Sequence, residues 1–261
     1  MIDRVRISSF AGHTFKGITD MVEQLFKRTS FIVSGLSSIA FPRVCICCGL
    51  ETTEEERQIC SFCKEDRFEA ANADYKHSSS GVILPDSVSL QHALWQFDKG
   101  GLLQDLMHYL KYERLTGIGL ELGAILGESM KRHPFISGII NAEPEIFLVP
   151  VPLHYLKFRK RGFNQAYFIA RGVQSVLDLP ICEVKDVVRS KNTRSQTGFS
   201  LKKRVANIKD AFRIRRLEAF DGKAVIIIDD VFTTGSTTFE LAAVLRKAGC
   251  REIAIATVAQ A

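Results

Sequence analysis

Two adjacent carboxylates ahead of a hydroxyl-rich turn carry the most specific chemistry in this chain. Residues 225–238 read VIIIDDVFTTGSTT. Asp229 and Asp230 follow an apolar, β-branched run at 225–228, the pattern of a buried parallel strand. Thr233, Thr234, Gly235, Ser236 and Thr237 come next. Leu241, Val244, Leu245 and Ala248 then recur at i, i+3, i+4 and i+7, one face of a helix. Strand, turn and helix N-terminus together make an anion site, because turn amides and helix dipole converge on one place. Gly235 allows close backbone approach. Carboxylates repel phosphate, so the ligand they suit also carries hydroxyl donors, as a ribose 5-phosphate does. Capping by Thr or Ser explains a strand–turn–helix but calls for no acidic pair before it. The segment lacks G-x-x-x-x-G-K-[ST], which excludes an ATPase P-loop there.

A second cluster is built for metal. Cys45, Cys47 and Cys48 precede Cys60 and Cys63. The pairs Cys45/Cys48 and Cys60/Cys63 are two C-x-x-C knuckles, and four thiolates complete a tetrahedron around structural Zn²⁺. Cys47 is the spare thiol, and its exchange with a neighbour in the ligand set stays open, as does a redox pair. Cys182 and Cys250 read as buried small hydrophobes.

Two basic segments lie between these features. Residues 147–152 read FLVPVP, a strand whose prolines end sheet pairing, followed by KFRKR at 157–161 and GFNQ at 162–165. A basic loop carrying Arg159, Lys160 and Arg161 into a helix N-terminus is a second candidate anion site; a surface loop capped by Asn164 is the plain alternative. Phe158 and Phe163 suit either base stacking or core packing. Residues 189–198, RSKNTRSQTG, read as a polar, basic cover containing Lys191 and Arg194.

The elements that must position these groups alternate. Strands are expected at 93–97, 146–151, 224–228 and 253–258. Helices are expected from the apolar faces of Leu102, Leu103, Leu106, Met107 and Leu110, of 120–130, and of Ala166, Ile169, Ala170 and Val173. That alternation predicts an α/β domain with a parallel sheet covered by helices on both faces. The organisation is an extension at 1–40, a cysteine module at 41–70 and a main domain at 82–261. A net charge of +6 favours anionic ligands. The longest apolar stretch, 31–41, is too short and too broken by Ser and Gly to span a membrane, and it starts late for a signal peptide. A cytoplasmic location is expected, with cysteines reduced or metal-bound.

The acidic pair and hydroxyl loop resemble the phosphoribosyl pyrophosphate (PRPP) signature of type I phosphoribosyltransferases. The order CxxC–CxxC, PVPLH…RGFNQA, T-x-x-Q…R-x-x-N…AF and IIIDDVFTTGST resembles the ComF family of competence-associated proteins over roughly residues 38–261. Cys47 and the long extension depart from that pattern. The resemblance implies a small N-terminal zinc ribbon joined to a type I phosphoribosyltransferase fold. It implies that Asp229 and Asp230 bind the ribose 2′- and 3′-hydroxyls and that 233–237 hold the 5′-phosphate. Arg159, Lys160, Arg161, Lys191 and Arg194 would stabilise pyrophosphate, accompanied by Mg²⁺. It further implies single-stranded DNA handling in natural transformation, beside a DNA-translocating ATPase of the uptake machinery. Catalysis, a non-catalytic PRPP-sensing or DNA-binding role, and nucleobase salvage remain alternatives at this point, and no acceptor pocket can be read.

Overall fold

In a computed structural model of the chain, residues 43–53, 58–71, 82–143, 145–192 and 208–261 are described. The extension at 1–40 and Arg194 lie outside them. Cys45–Ala261 form one compact unit. Its elements are β1 (Leu90–Gln96), α1 (Leu102–Tyr112), α2 (Thr116–Arg132), α3 (Pro134–Ala142), β2 (Ile146–Pro150), α4 (Tyr155–Arg161), α5 (Gln165–Leu177), β3 (Val187–Arg189), β4 (Phe212–Ile214), β5 (Ala224–Phe232), α6 (Ser236–Lys247) and β6 (Glu252–Gln260).

The main sheet has the order β1-β6-β5-β2, and each pairing is parallel. Strand alternation sends its side chains to two cores. Ala224, Ile226, Ile228, Ala254, Ala256 and Val258 face one, with Leu122, Leu126 and Met130 of α2 and Ile169 and Val173 of α5. Val225, Ile227, Ile253 and Ile255 face the other, with Leu241, Ala242 and Leu245 of α6. Both faces are therefore covered, which is why β5 reads as an unbroken apolar run. Each fully buried Val, Leu, Ile or Met among these contributes about 1.5–3 kcal/mol.

Helices α2 and α5 touch backbone to backbone. A Cβ on Gly123 would lie 2.0 Å from Ile169 O, and one on Gly172 would lie 2.2 Å from Leu120 O. Any larger residue at either place must push the helices apart.

The cysteine module shares a core with the main domain. Cys45, Ile59, Cys60, Cys63 and Phe68 are buried in one cluster with Leu90, Trp95, Leu103 and Leu106. Phe68 packs on Trp95 with ring centroids 4.9 Å apart. Glu121, buried on α2, accepts the N–H groups of Gln58 at 2.8 Å and Ile59 at 3.3 Å, and pairs with Lys64 Nζ at 2.9 Å.

Several elements differ from the sequence expectation. Residues 157–161 are helical: α4 is capped by His154, whose Nδ1 accepts from Leu156 N–H at 3.3 Å, and it ends at Gly162 with φ 84°. Seven residues fall below what periodicity resolves, so the segment read as a loop. The short helix α3 and the antiparallel β3–β4 ribbon were not expected. Sheet pairing continues through Pro150 opposite Ile228, and Val151 N–H still donates to Ile228 O at 2.9 Å. Among the described residues no helix is long and apolar enough to cross a membrane.

Candidate functional site

Strand β5 outruns β2. Its pairing with β2 ends at Ile228, whereas β6 accompanies it to Phe232, so Asp229 and Asp230 stand at the C-terminal edge of the sheet. Asp230 continues the face of Ile226 and Ile228, the side on which α1 and α2 pack. There it meets Lys111 of α1 in an ion pair, and its Oδ1 accepts the Val231 N–H at 2.9 Å. Burial works against ionising Asp230, but the Lys111 ammonium outweighs it and holds the carboxyl below the usual range, with Arg161 adding to the effect. For Asp229, burial first and the adjacent Asp230 charge second push the carboxyl up. Two neighbouring carboxylates thus differ in ease of ionisation because Lys111 makes its ion pair with Asp230.

The loop that follows is shaped by Gly235. It adopts φ 69° as the N-cap of α6, and a Cβ there would lie 2.3 Å from the Phe239 ring. Thr234 and Ser236 hydroxyls lie 2.7 Å apart, and Thr238 Oγ1 donates to Gly235 O at 3.1 Å. No side chain caps the opening turn of α6, which leaves the positive end of the helix dipole to a ligand.

Three cations act electrostatically on the acidic pair. Lys111 and Arg161 act on Asp230, while Arg189, like Lys111, acts on Asp229. Lys157 is half-buried; burial, then the charges of Arg189 and Arg161, push its pKa down. Arg161 Nη1 donates to Gln165 Oε1 at 2.9 Å, and its guanidinium lies over the Tyr112 ring at 5.4 Å. Of the sequence-derived cations, Arg161 is therefore at the site. Arg159 and Lys160 are exposed on α4, and Lys191 Nζ donates to Lys209 O at 3.2 Å. Lys157 and Arg189 lie within the basic segments at 157–161 and 189–198, whereas Lys111 was not singled out. Position 111 completes an ordinary amphipathic helix, and nothing local marks it.

Beside this site a cleft of about 960 Å³ opens between the Pro150–Phe168 region and the β3–β4 ribbon. Tyr155, Phe158, Phe163, Tyr167 and Phe168 line it, together with Arg189, Arg213 and Arg215. Phe163 is buried and packs edge-on against Phe168 at 5.8 Å, whereas Phe158 is exposed. Of the two roles that the sequence left open, Phe163 therefore has core packing, while Phe158 stays accessible.

The four knuckle cysteines converge. Sγ atoms of Cys45, Cys48, Cys60 and Cys63 all lie within 4.8 Å of one another. Cys45–Cys63 is 3.8 Å and Cys48–Cys60 is 3.6 Å. A tetrahedron with Zn–S bonds of about 2.3 Å has S···S edges of about 3.8 Å, so this donor set fits a metal ion such as zinc. Burial opposes ionisation of Cys45, but the N–H groups of Cys60, Cys48 and Cys47 bring its thiol down to about 6. Cys47 lies outside the group of four, and burial, then the Cys45 charge, push its thiol up to about 12. Cys182 and Cys250 are buried in the core around α6.

Residues 159–261 match the phosphoribosyl transferase domain family. Over 116 residues the chain is 38% identical to Competence protein F of Haemophilus influenzae, a match covering 44% of this chain and half, 50%, of that protein's length. DNA utilization protein YhgH of Escherichia coli K12 is 26% identical over 212 residues, 81% of this chain and 88% of that one. Competence protein ComFC of Bacillus subtilis is 28% identical over 98 residues, 38% of this chain and 37% of that one. The matched domain holds β5, its carboxylates and the loop before α6, and the similarity to YhgH extends across most of the chain. The chain is thus similar to competence and DNA-utilization proteins and carries a segment that matches the phosphoribosyl transferase domain family.

Proposed function

We propose that this protein binds PRPP at the C-terminal edge of its sheet and serves DNA uptake, a reading supported by its similarity to a competence protein and a DNA utilization protein. The observation that carries the reading is the acidic pair of β5 placed directly before an uncapped helix N-terminus, with the charges of Lys111, Arg161 and Arg189 acting on it. Hydroxyls of the ribose donate to Asp229 and Asp230. Residues 233–237 take the 5′-phosphate, and the cations take pyrophosphate. Mg²⁺ would accompany the pyrophosphate as its counter-ion and would supply charge neutralisation there, beside Lys111, Arg161 and Arg189. Zn²⁺ held by Cys45, Cys48, Cys60 and Cys63 has a structural role, because four protein ligands leave no open position. Calorimetric titration with Mg²⁺–PRPP tests the reading. Binding that weakens in Asp229→Ala or Thr234→Ala supports it, and no binding at millimolar PRPP rejects it.

Single-stranded DNA is the second ligand, supported by the neighbouring cleft. Tyr155 and Phe158 are 60% and 48% exposed there, beside Arg213 and Arg215. Exposed rings stack on bases and arginines neutralise phosphates, so binding should have little sequence preference and fall steeply with salt. Anisotropy of a labelled oligonucleotide at two salt concentrations tests this with Tyr155→Ala/Phe158→Ala and Arg159→Ala/Lys160→Ala variants. Wild-type affinity in both variants removes this face from the DNA path. A cytoplasmic location and contact with the DNA-translocating ATPase belong to the same proposal. Co-purification of the two proteins tests the contact.

A further inference from the structure

We infer that Lys111 is a displaceable cation of the phosphosugar site. It neutralises Asp230 while the site is free and turns to the ligand's pyrophosphate when a ribose hydroxyl takes its place. The inference rests on the PRPP reading and adds a ligand group that comes from a helix outside the strand–loop–helix unit.

The first observation is closure. Asp230 Oδ2 is sealed from solvent and is in contact with the Lys111 ammonium. A hydroxyl can reach that oxygen only if something moves. The β5 backbone is held by pairing with β6 up to Phe232. The Lys111 side chain is 24% exposed and has a long flexible stem, so it is the part that can leave.

The second observation is direction. The α1 backbone that carries Lys111 is fixed by Leu103, Leu106, Met107 and Leu110, all nearly fully buried. The next residue, Tyr112, lies under the Arg161 guanidinium. The end of α1 therefore spans from the acidic pair to the basic helix α4. An ammonium displaced from Asp230 in a half-buried site requires another anion. That anion is the pyrophosphate, because Arg161, which lies over Tyr112 next to Lys111, is among the cations assigned to it, whereas the 5′-phosphate is assigned to the loop before α6.

The two roles of Lys111 make opposite demands on two ligands. PRPP and ribose 5-phosphate share the hydroxyls and the 5′-phosphate, and only PRPP carries pyrophosphate. Lys111→Ala removes a charged hydrogen bond to PRPP and also removes the ion pair that ribose 5-phosphate must break. Calorimetry on the full chain should show Mg²⁺–PRPP affinity falling tenfold or more, on the order expected for a charged hydrogen bond, while ribose 5-phosphate binds as well as before or tighter. Lys111→Arg should restore part of the PRPP affinity. Lys111→Met makes the same comparison if the alanine variant does not fold. Equal weakening of both ligands, or no change in either, overturns the inference and leaves Lys111 as packing. If the wild type binds neither ligand, the PRPP reading itself fails, a result separate from any behaviour of the variants.

Discussion

Replacement of Glu121 by Ala should loosen the cysteine module from the domain by a predictable amount. The carboxylate is the acceptor for two backbone N–H groups, of Gln58 at 2.8 Å and of Ile59 at 3.3 Å, and Ile59 is fully buried. Each donor left without an acceptor costs roughly 1–3 kcal/mol. The Lys64 pair adds less, because without Lys64, whose side chain is 21% exposed, Glu121 still accepts from both backbone donors. Loss of the carboxylate's own desolvation cost and the better helix propensity of Ala return part of this, the latter at most about 0.7 kcal/mol. The net expectation is about 2–4 kcal/mol. Lys64→Ala should cost under about 1 kcal/mol. Trp95 is the single tryptophan and packs on Phe68 of the module, so its fluorescence reports this interface during urea unfolding. Metal retention against a chelator, followed in parallel, should be lost at lower urea in Glu121→Ala. A loss below about 1 kcal/mol, or equal losses in the Glu121 and Lys64 variants, would refute the view that this carboxylate holds the second knuckle through its backbone.

Three further outcomes are expected. Cys60→Ser should lose bound zinc in elemental analysis while Cys47→Ser retains about one ion per chain, since Cys47 lies outside the group of four. Asp229→Asn should raise the melting temperature at neutral pH and not in acid: a carboxyl raised in the fold gives stability that is present below its ordinary range, near pH 4, and lost as pH rises through its folded value. Thermal melts across pH should show the two proteins diverging upward from about pH 4, and a constant difference would remove the titration argument. Gly123→Ala should cost about 1–3 kcal/mol by forcing α2 off the Ile169 carbonyl, measured by chemical denaturation.

Much of the site was readable because it is local. The run 225–238 specifies a strand, two carboxylates, a positive-φ glycine and a helix start within one stretch of chain, and the structure presents them in that order. Cysteine spacing likewise foretold which four thiols meet, since each knuckle is a short loop that brings its own pair together. Helices α1, α2, α5 and α6 were visible from their apolar faces. The helical form of 157–161 was hidden by its brevity, and the β3–β4 ribbon by strands of three residues each. Neither the partner of Asp230 nor the acceptor role of Glu121 has a sequence signature. Lys111 lies more than a hundred positions before Asp230, and Glu121 is 63 positions after Gln58. Their meetings depend on how α1 and α2 settle on the sheet, with α2 brought against α5 by glycines 123 and 172. Short-range pattern determined the chemical groups on offer, and long-range packing decided which charges they face, because an ion pair depends on distance in space and not on separation along the chain.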